Sequence, residues 1–181
     1  MGLELPSRVQ HQLFDIAEPL KNKLNTARWI APHNIHLTLK FLGAVPEEKV
    51  GSINNALESA ANRFRKFYFT LGELGGFPSK KRARVLWVGV HHGAEELVAL
   101  SKAIDNELVP LGFEAEDKLF KPHITLARLK TPIPIEDAIA EVKVDKFLGT
   151  VVNVDSITLF RSHLTRVGAE YEALKQISLP G

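Results

Sequence analysis

Two segments in which apolar and polar residues alternate place the strongest constraint on the fold of this chain. Residues 35–41 and 122–129 each predict a β-strand, because successive side chains of a strand point to opposite faces. One face of each segment carries apolar residues such as Leu37 and Ile124, and the other carries a histidine and, two residues later, a threonine. Each strand must therefore bury one face in a core and present an imidazole and a hydroxyl group on the other.

The two segments contain near copies of one motif, His36-Leu37-Thr38-Leu39 and His123-Ile124-Thr125-Leu126, placed about half the chain apart. Seven histidines and eight threonines would give roughly 0.3 His-x-Thr matches by chance, so two copies in predicted strands indicate a shared role. A third match, His163-Leu164-Thr165, lies in turn-like sequence before Gly168, and we interpret it as incidental. The spacing predicts one copy in each of two lobes.

A pair of imidazoles suits displacement at phosphorus, in which the attacking and leaving oxygens lie on opposite sides of the phosphate. One of His36 and His123 would take a proton from the attacking hydroxyl or water, and the other would give one to the departing oxygen. An ordinary imidazole pKa of about 6.5 allows either task, and each positioned acid or base contributes about 10²–10⁴-fold. The hydroxyls of Thr38 and Thr125 would bind the non-bridging phosphate oxygens. This scheme requires neither a metal ion nor an organic cofactor.

Composition excludes several other kinds of chemistry. The chain has 181 residues, no cysteine and an apolar content of 45%, as in an ordinary soluble globular protein. The lack of cysteine excludes disulfides, thiol catalysis and thiolate metal sites. The first residues lack a signal-peptide pattern, and no apolar run approaches the ~20 residues that span a bilayer. We therefore expect one domain over residues 1–181, a cytoplasmic location and a monomer.

The remaining pattern predicts a mixed fold of helices and strands. The predicted helices cover residues 9–20, 46–61, 93–108 and 134–147, and the further predicted strands cover residues 67–74, 84–90, 151–160 and 171–179. In the first helix, one apolar stripe is formed by Val9, Leu13, Ile16, Ala17 and Leu20, and Pro19 is expected to kink or end it. This order of elements fits α+β sheets with helices packed outside.

Two basic segments suit a polyanionic ligand. The first consists of Lys80, Lys81, Arg82 and Arg84, and the second of Lys118, Lys121, Arg128 and Lys130. Neutralising phosphates releases counterions and supplies most of the non-specific affinity for nucleic acid. For the first segment, a solvated surface loop is an equally open alternative.

Further segments extend the pattern beyond the two motifs. They are Leu3-Glu4-Leu5-Pro6, Asn34-Ile35-His36-Leu37-Thr38-Leu39-Lys40-Phe41-Leu42-Gly43, Gly76-Phe77-Pro78, Arg84-Val85-Leu86-Trp87-Val88-Gly89-Val90, Phe120-Lys121-Pro122-His123-Ile124-Thr125-Leu126-Ala127-Arg128, Leu159 with Ser162, and Gly168 with Tyr171. In these segments, nearly from end to end, the chain resembles the 2H phosphoesterase superfamily, and within it the 2′-5′ RNA ligase-like RNA 2′,3′-cyclic phosphodiesterases.

The resemblance implies a bilobal fold in which two antiparallel β-sheets flank a central cleft, with helices packed outside. It implies that the protein opens 2′,3′-cyclic phosphates to 2′-phosphates without a metal. The substrates would be RNA ends, such as those of tRNA fragments, or cyclic nucleotides. Some members of the family also join RNA ends through a 2′-5′ linkage. His36 matches the family's proton donor, His123 its proton acceptor, and Arg128 a basic position that contacts the phosphate. Because strict alternation turns Arg128 away from His123, a strand end or a β-bulge must bring it round.

Other residues have less defined roles. Lys40 lies on the face of His36 and is expected either in the cleft or in solvent. Phe77, beside the first basic segment, is the better candidate for stacking on a base, whereas Trp87 is expected in the core. The family has a longer first strand than the segment beginning at Met1, so we expect a base-stacking aromatic residue of that strand to be missing.

Two alternatives remain open. One is a 2H phosphoesterase that acts on another small cyclic phosphate, such as a cyclic ADP-ribose phosphate, which a substrate panel would reveal. The other is a non-catalytic module that binds RNA ends through its His-x-Thr pairs, which would give saturable binding without turnover. The presence of both complete motifs favours catalysis.

Overall fold

The computed structural model describes residues 1–165 and 168–181, and within them the chain forms nine β-strands and four α-helices. The strands are β1 (Gly2–Glu4), β2 (Ala27–Trp29), β3 (His36–Thr38), β4 (Phe67–Phe77), β5 (Ala83–Val90), β6 (His123–Ile133), β7 (Val151–Val154), β8 (Ser156–Leu164) and β9 (Ala169–Ser178). The helices are α1 (Ser7–Lys21), α2 (Val50–Ala61), α3 (Ala94–Leu108) and α4 (Glu136–Ala140). None of these helices is long and apolar enough to cross a bilayer.

The nine strands form one antiparallel sheet in the order β7-β4-β5-β6-β3-β1-β8-β9, and β2 also pairs with β6. The two halves of the sheet meet where β3 pairs with β6 through Leu37 and Ile124. The sheet curls into a half-barrel. The predicted α+β fold with two antiparallel halves is confirmed, and the halves are continuous with each other at this central pair.

The apolar faces of the central strands form the core. Leu37 and Ile124 are fully buried, as are Leu86 and Val88 of β5. Burying an aliphatic side chain of this size stabilises the fold by about 1.5–3 kcal/mol. Helix α2 packs against α3 and against β8 and β9. With one face of β3 and β6 in this core, the histidine and threonine side chains of both motifs are left on the other face.

The buried face of the first helix confirms the apolar stripe predicted for it. The buried residues of α1 are Val9, Leu13, Ile16, Ala17 and Leu20. Pro19 lies inside the helix, which continues for two residues to Lys21. Because Pro19 is in the last turn, its missing N–H and its ring affect only the end of the helix.

Several predicted boundaries differ from those of the structure. The helix predicted over residues 134–147 is reduced to α4 and a 3₁₀ turn at Val144–Lys146. The strand predicted over residues 151–160 is divided into β7 and β8, and β8 continues to Leu164, so that its hairpin with β9 closes at the Leu164–Ala169 pair. Residues 166 and 167 lie outside the described part of the chain. The three-residue strand β2 was not predicted, because it is too short for alternation to be recognised.

Lys40 lies neither in the cleft nor in solvent, so both expectations for it were wrong. Strand β3 ends at Thr38, and alternation no longer determines the direction of the side chains that follow. The Lys40 side chain is 6% exposed, and its Nζ donates hydrogen bonds to the Asp105 carboxylate of α3 and, at 2.8 Å, to the Glu114 carbonyl. This buried ion pair fixes the segment after β3 to helix α3.

Candidate active site

The two His-x-Thr motifs lie side by side on one face of the sheet. Strands β3 and β6 are antiparallel and pair through the middle residue of each motif, so that His36 lies beside Thr125 and Thr38 beside His123. Directly opposed residues of such a pair have Cβ atoms roughly 4.5–5.5 Å apart, and diagonal residues lie roughly 7–8 Å apart. The two imidazoles are diagonal to each other, with the two hydroxyls on the other diagonal. This arrangement can enclose one phosphate group between four polar side chains.

Hydrogen bonds determine which nitrogen of His36 faces the cleft. Its Nδ1 lies 2.8 Å from the Asn34 carbonyl oxygen, which can only accept, so Nδ1 carries a proton. Its Nε2 lies 3.0 Å from Thr38 Oγ1. In neutral His36, Nε2 is therefore the acceptor and the Thr38 hydroxyl is the donor. Asn34 is itself held by β9, because its Nδ2 donates to the Ala169 carbonyl at 3.2 Å.

His123 has the same arrangement. Its Nδ1 donates to the Lys121 carbonyl at 2.7 Å, which leaves Nε2 as the proton-accepting nitrogen of the neutral ring. In both motifs the carbonyl comes from the residue two positions before the histidine. The local chain thus fixes the ring tautomer and leaves both Nε2 atoms as acceptors, that of His36 paired with the Thr38 hydroxyl.

Aromatic rings hold the imidazole of His36 in place. The Tyr171 ring lies edge-on with its centroid 4.5 Å from that of His36, and the Phe160 ring lies at 5.2 Å. Sequence analysis gave Tyr171 no role beyond the resemblance and Phe160 none. Their position depends on the pairing of β8 with β9, which no local pattern near His36 indicates.

A second pair of rings holds His123. The Phe77 ring is edge-on to the imidazole at 4.8 Å, and the Trp87 ring lies at 6.2 Å. Trp87 is buried as predicted, but it pairs with Thr125 and so belongs to the face of the sheet that carries the motifs. The ammonium group of Lys121 lies 4.9 Å from the Trp87 ring centroid. These contacts restrict the ring of His123, whose hydrogen bond among the described residues is the one from Nδ1 to Lys121.

The pKa of His36 and that of His123 both lie below the usual 6.5 of an imidazole. Burial is the main cause for each ring, since it disfavours the charged form. The hydrogen bond to the backbone carbonyl raises each pKa in part, and the positive charge of Arg128 lowers both further. Near neutral pH the ligand-free site is therefore mainly uncharged at these rings, and an anionic ligand would favour their protonation.

A β-bulge turns Arg128 toward the site. Sequence analysis predicted that a bulge or a strand end would be needed for Arg128 to reach the phosphate. The pairing of β5 with β6 shifts between Leu86–Ala127 and Trp87–Thr125, so that Leu126 is an extra residue in β6. One extra residue reverses the alternation beyond it. Arg128 thereby comes to the face that carries Thr125.

The site opens into a cavity of about 640 Å³, within the size range of nucleotide-sized ligand sites. The predicted residues that line it are His36, Thr38, Thr125 and Arg128. His123 does not line this cavity; the strand register places it next to Thr38. A second cavity of about 640 Å³ also contacts His36 and Thr38, on the side of Phe160 and Arg161. The first cavity is the one that brings the phosphate-binding candidates together.

The third His-x-Thr match is divided between surface and cavity. His163 is exposed, lies in β8 rather than in a turn, and its Nε2 is 2.9 Å from the Glu172 carboxylate. Thr165, by contrast, lines the cavity. The motif is thus not a third imidazole of the site, although its threonine belongs to the cavity wall.

Arg28 is a cavity residue that sequence analysis missed. It lies in β2, opposite Arg128 of β6, and lines the same cavity. The apolar and aromatic neighbours Ala27, Trp29 and Ile30 are a weak strand signal that could have drawn attention to it.

Within residues 1–165 and 168–181, no three histidine, aspartate or glutamate side chains come together in a way that could hold a metal ion.

Comparison with known families gives a match over most of the chain. The model of a family described as LigT-like phosphoesterases matches twice, over residues 3–87 and 88–171. Each match contains one of the two His-x-Thr motifs of the sheet. The matched halves are halves of the sequence rather than of the sheet, because residues 3–87 include β1 and β3 on one side of the central pair and β4 and β5 on the other.

Two relatives carry the name RNA 2′,3′-cyclic phosphodiesterase. One, from Aeropyrum pernix, is 39% identical over 152 residues, which cover 82% of this chain and 84% of that protein. The other, from Thermotoga maritima, is 34% identical over 182 residues, which cover 100% of this chain and 95% of that protein.

Solved structures show the same fold. The protein TT0787 of Thermus thermophilus superimposes with a TM-score of 0.83 at 30% identity, over 99% of this chain and 96% of that one. Escherichia coli LigT complexed with 3′-AMP superimposes with a TM-score of 0.70 at 26% identity, over 98% of this chain and 95% of that one.

Proposed function

Because this chain belongs to the family of LigT-like phosphoesterases, we propose that it is an RNA 2′,3′-cyclic phosphodiesterase that opens cyclic phosphate ends to 2′-phosphates. The observation that carries the proposal is the antiparallel pairing of the two motifs, which places two imidazoles and two hydroxyls around one point of the cleft. The name shared by the relatives from Aeropyrum and Thermotoga supports the same substrate. The complex of Escherichia coli LigT with 3′-AMP supports a nucleotide-sized cavity.

In this proposal the two imidazoles act at opposite ends of an in-line displacement. Nε2 of His123 takes a proton from the attacking water as the new phosphorus–oxygen bond forms. Protonated His36 gives its Nε2 proton to the ribose 3′ oxygen as the bond from that oxygen to phosphorus breaks. The phosphate remains on the 2′ oxygen, and the net reaction consumes one water.

The hydrogen bond between His36 and Thr38 couples protonation to phosphate binding. In neutral His36 the Thr38 hydroxyl donates to Nε2. Once His36 is protonated, Nε2–H becomes the donor, and the Thr38 proton can turn to a non-bridging phosphate oxygen. Thr125 is the threonine of the second motif and lies beside His36, where it can bind the phosphate as well. Arg128 neutralises the charge of the phosphate. Binding of the anion and protonation of His36 thus favour each other.

Product analysis on an RNA oligomer that ends in a 2′,3′-cyclic phosphate tests the proposed function. With the chelator EDTA present, we expect conversion to a 2′-phosphate end, identified by ³¹P NMR against 2′- and 3′-phosphate standards. A 3′-phosphate product would contradict the proposed direction of opening. Loss of activity in EDTA would argue for a metal site. Saturable binding without turnover would argue for a non-catalytic module that binds RNA ends.

The pH profile provides a second prediction. The reaction needs one protonated and one neutral imidazole, so kcat/KM should peak between their two pKa values. Because both pKa values are lowered, mainly by burial, we expect the maximum on a nucleoside 2′,3′-cyclic phosphate to lie below pH 6.5. Arg128→Met removes a positive charge that disfavours the protonated rings, so it should move the maximum to higher pH and also weaken phosphate binding. An unchanged maximum in Arg128→Met would contradict this electrostatic role, and Arg8→Met, at an exposed residue of α1, is the control.

We also propose that residues 1–181 act as one domain of two pseudo-symmetric lobes, as a monomer in the cytoplasm. The position of the two motif strands supports the two lobes, because β3 and β6 belong to different halves of the sheet. A substrate panel that includes a cyclic ADP-ribose phosphate would test the alternative of another small cyclic phosphate, and supplying RNA with a 5′ hydroxyl would test 2′-5′ ligation.

A further inference from the structure

Strand β2 brings a second guanidinium to the cavity. Arg28 of β2 pairs directly with Arg128 of β6. Directly opposed residues of an antiparallel pair point to the same face of the sheet. Both side chains therefore project to the face that carries Thr125, and both line the same cavity.

The two guanidiniums point to different parts of that cavity. Arg128 shares the face of Thr125 beyond the bulge at Leu126 and lines the cavity together with His36 and Thr38. Arg28 is directed toward the β8–β9 hairpin, where a methyl group built on Gly168 would lie 3.7 Å from Arg28 Nε. The backbone of Arg28 is level with Arg128. Because Leu126 is an extra residue, Arg128 and Thr125 are only two residues of the partner strand apart, or roughly 7 Å at 3.3 Å per residue. Arg28 is thus placed to contact a group adjacent to the reactive phosphate.

The charge around Arg28 favours an anion. Among the described residues that line the cavity, Arg28 and Arg128 are the arginines and Glu170 is the carboxylate. A guanidinium also presents a planar pair of N–H donors that matches two oxygens of a phosphate.

We propose that Arg28 forms a second phosphate subsite, which binds the phosphodiester on the 5′ side of the terminal nucleotide of the RNA. This inference rests on the proposed function, because the cyclic phosphate at the histidines sets the position of the terminal ribose. That ribose carries the cyclic phosphate on its 2′ and 3′ oxygens and the next phosphate on its 5′ oxygen, so it links the two subsites. Arg28 then distinguishes an RNA end from a mononucleotide, which has no second phosphate.

Three substrates that end in a 2′,3′-cyclic phosphate test the subsite. They are adenosine 2′,3′-cyclic phosphate, an adenosine dinucleotide with a natural phosphodiester, and the same dinucleotide with an uncharged methylphosphonate linkage. For Arg28→Ala we expect kcat/KM to fall at least about tenfold on the phosphodiester dinucleotide and less than about twofold on the other two. Arg28→Lys should retain part of the activity on the dinucleotide, because it keeps the charge but loses the planar pair of donors.

Salt dependence provides an independent readout. Loss of one phosphate contact to a single strand should reduce the slope of log(kcat/KM) against log salt concentration by about 0.7 for an RNA oligomer that ends in a 2′,3′-cyclic phosphate. Arg8→Ala is the matched control, because Arg8 is an exposed arginine that lines a different cavity beside α1. It should leave both the rate and the slope unchanged.

The possible outcomes separate this inference from the proposed function. An equal loss on all three substrates in Arg28→Ala would overturn the subsite while leaving the phosphodiesterase activity intact in the wild type. Absence of wild-type turnover on every substrate would overturn the proposed function and the subsite with it. If Arg28→Ala does not fold, the wild type alone carries the test, since it should prefer the phosphodiester over the methylphosphonate dinucleotide at least about tenfold.

Discussion

Replacing either His36 or His123 with alanine is expected to lower kcat for a nucleoside 2′,3′-cyclic phosphate by about 10²–10⁴-fold, because each removes one proton-transfer group. KM should rise far less than kcat falls, since Thr38, Thr125 and Arg128 still line the place of the phosphate. The measurement is steady-state hydrolysis in EDTA near the pH maximum of the wild type. The double variant should lose far less than the product of the single effects, because the two groups act as one unit.

His163→Ala is the matched control for these variants. His163 begins a third copy of the same motif, but its side chain is exposed and contacts Glu172 instead of the other two histidines. We expect its activity to equal that of the wild type. Full activity in either His36→Ala or His123→Ala would exclude the two-imidazole mechanism. A large loss in His163→Ala would show that the site has been placed wrongly.

Lys40→Met is expected to lower the free energy of unfolding by about 3–5 kcal/mol, because it leaves the Asp105 carboxylate largely buried without its cation. The Asp105 side chain is 16% exposed and that of Lys40 only 6%. Urea denaturation followed by circular dichroism near neutral pH measures the change. Lys175→Met is the control, because its partner Glu58 lies 4.0 Å away and both side chains are about half exposed; such a pair contributes about 0–1 kcal/mol.

The pH dependence of Lys40→Met has a definite sign. Burial alone would raise the pKa of the Asp105 carboxyl, but the hydrogen bond from Lys40 and that from the Glu116 amide bring it below its usual 3.8. In the wild type this contribution to stability is present above pH 3.8 and is lost as the pH falls through the lowered pKa. In Lys40→Met, burial prevails and the pKa rises, so protonation at low pH relieves the unpaired charge. The stability difference between the two proteins should therefore narrow on acidification, and a constant difference would contradict the ion pair.

A second substitution separates the charge from the packing at this position. Combining Lys40→Met with Asp105→Leu removes both charges from the buried pair, and such replacements are often neutral or stabilising. We expect the double variant to recover most of the lost stability. If it remained as unstable as Lys40→Met, the loss would come from packing around the lysine stem rather than from an uncompensated carboxylate.

Local patterns in the sequence determined the parts of the site that depend only on neighbours along the chain. Alternation placed His36 with Thr38 and His123 with Thr125, because the period of a strand is two residues wherever the strand forms. The stripe of α1 was predictable for the same reason, with the period of a helix in place of that of a strand. The two copies of the motif also indicate the kind of chemistry, because an imidazole and a hydroxyl in each copy suit displacement at phosphorus.

Contacts between distant segments decided the rest. The bulge at Leu126 turns Arg128 into the site, and only the pairing of β6 with β5 reveals an extra residue. Arg28 enters the cavity through a strand of three residues that exists because β6 offers it hydrogen bonds. Lys40 leaves the face of His36 because β3 ends and a carboxylate on α3 binds it. Periodicity describes one chain segment at a time, whereas register, bulges and buried ion pairs are properties of two segments, and so they become visible only in the folded molecule.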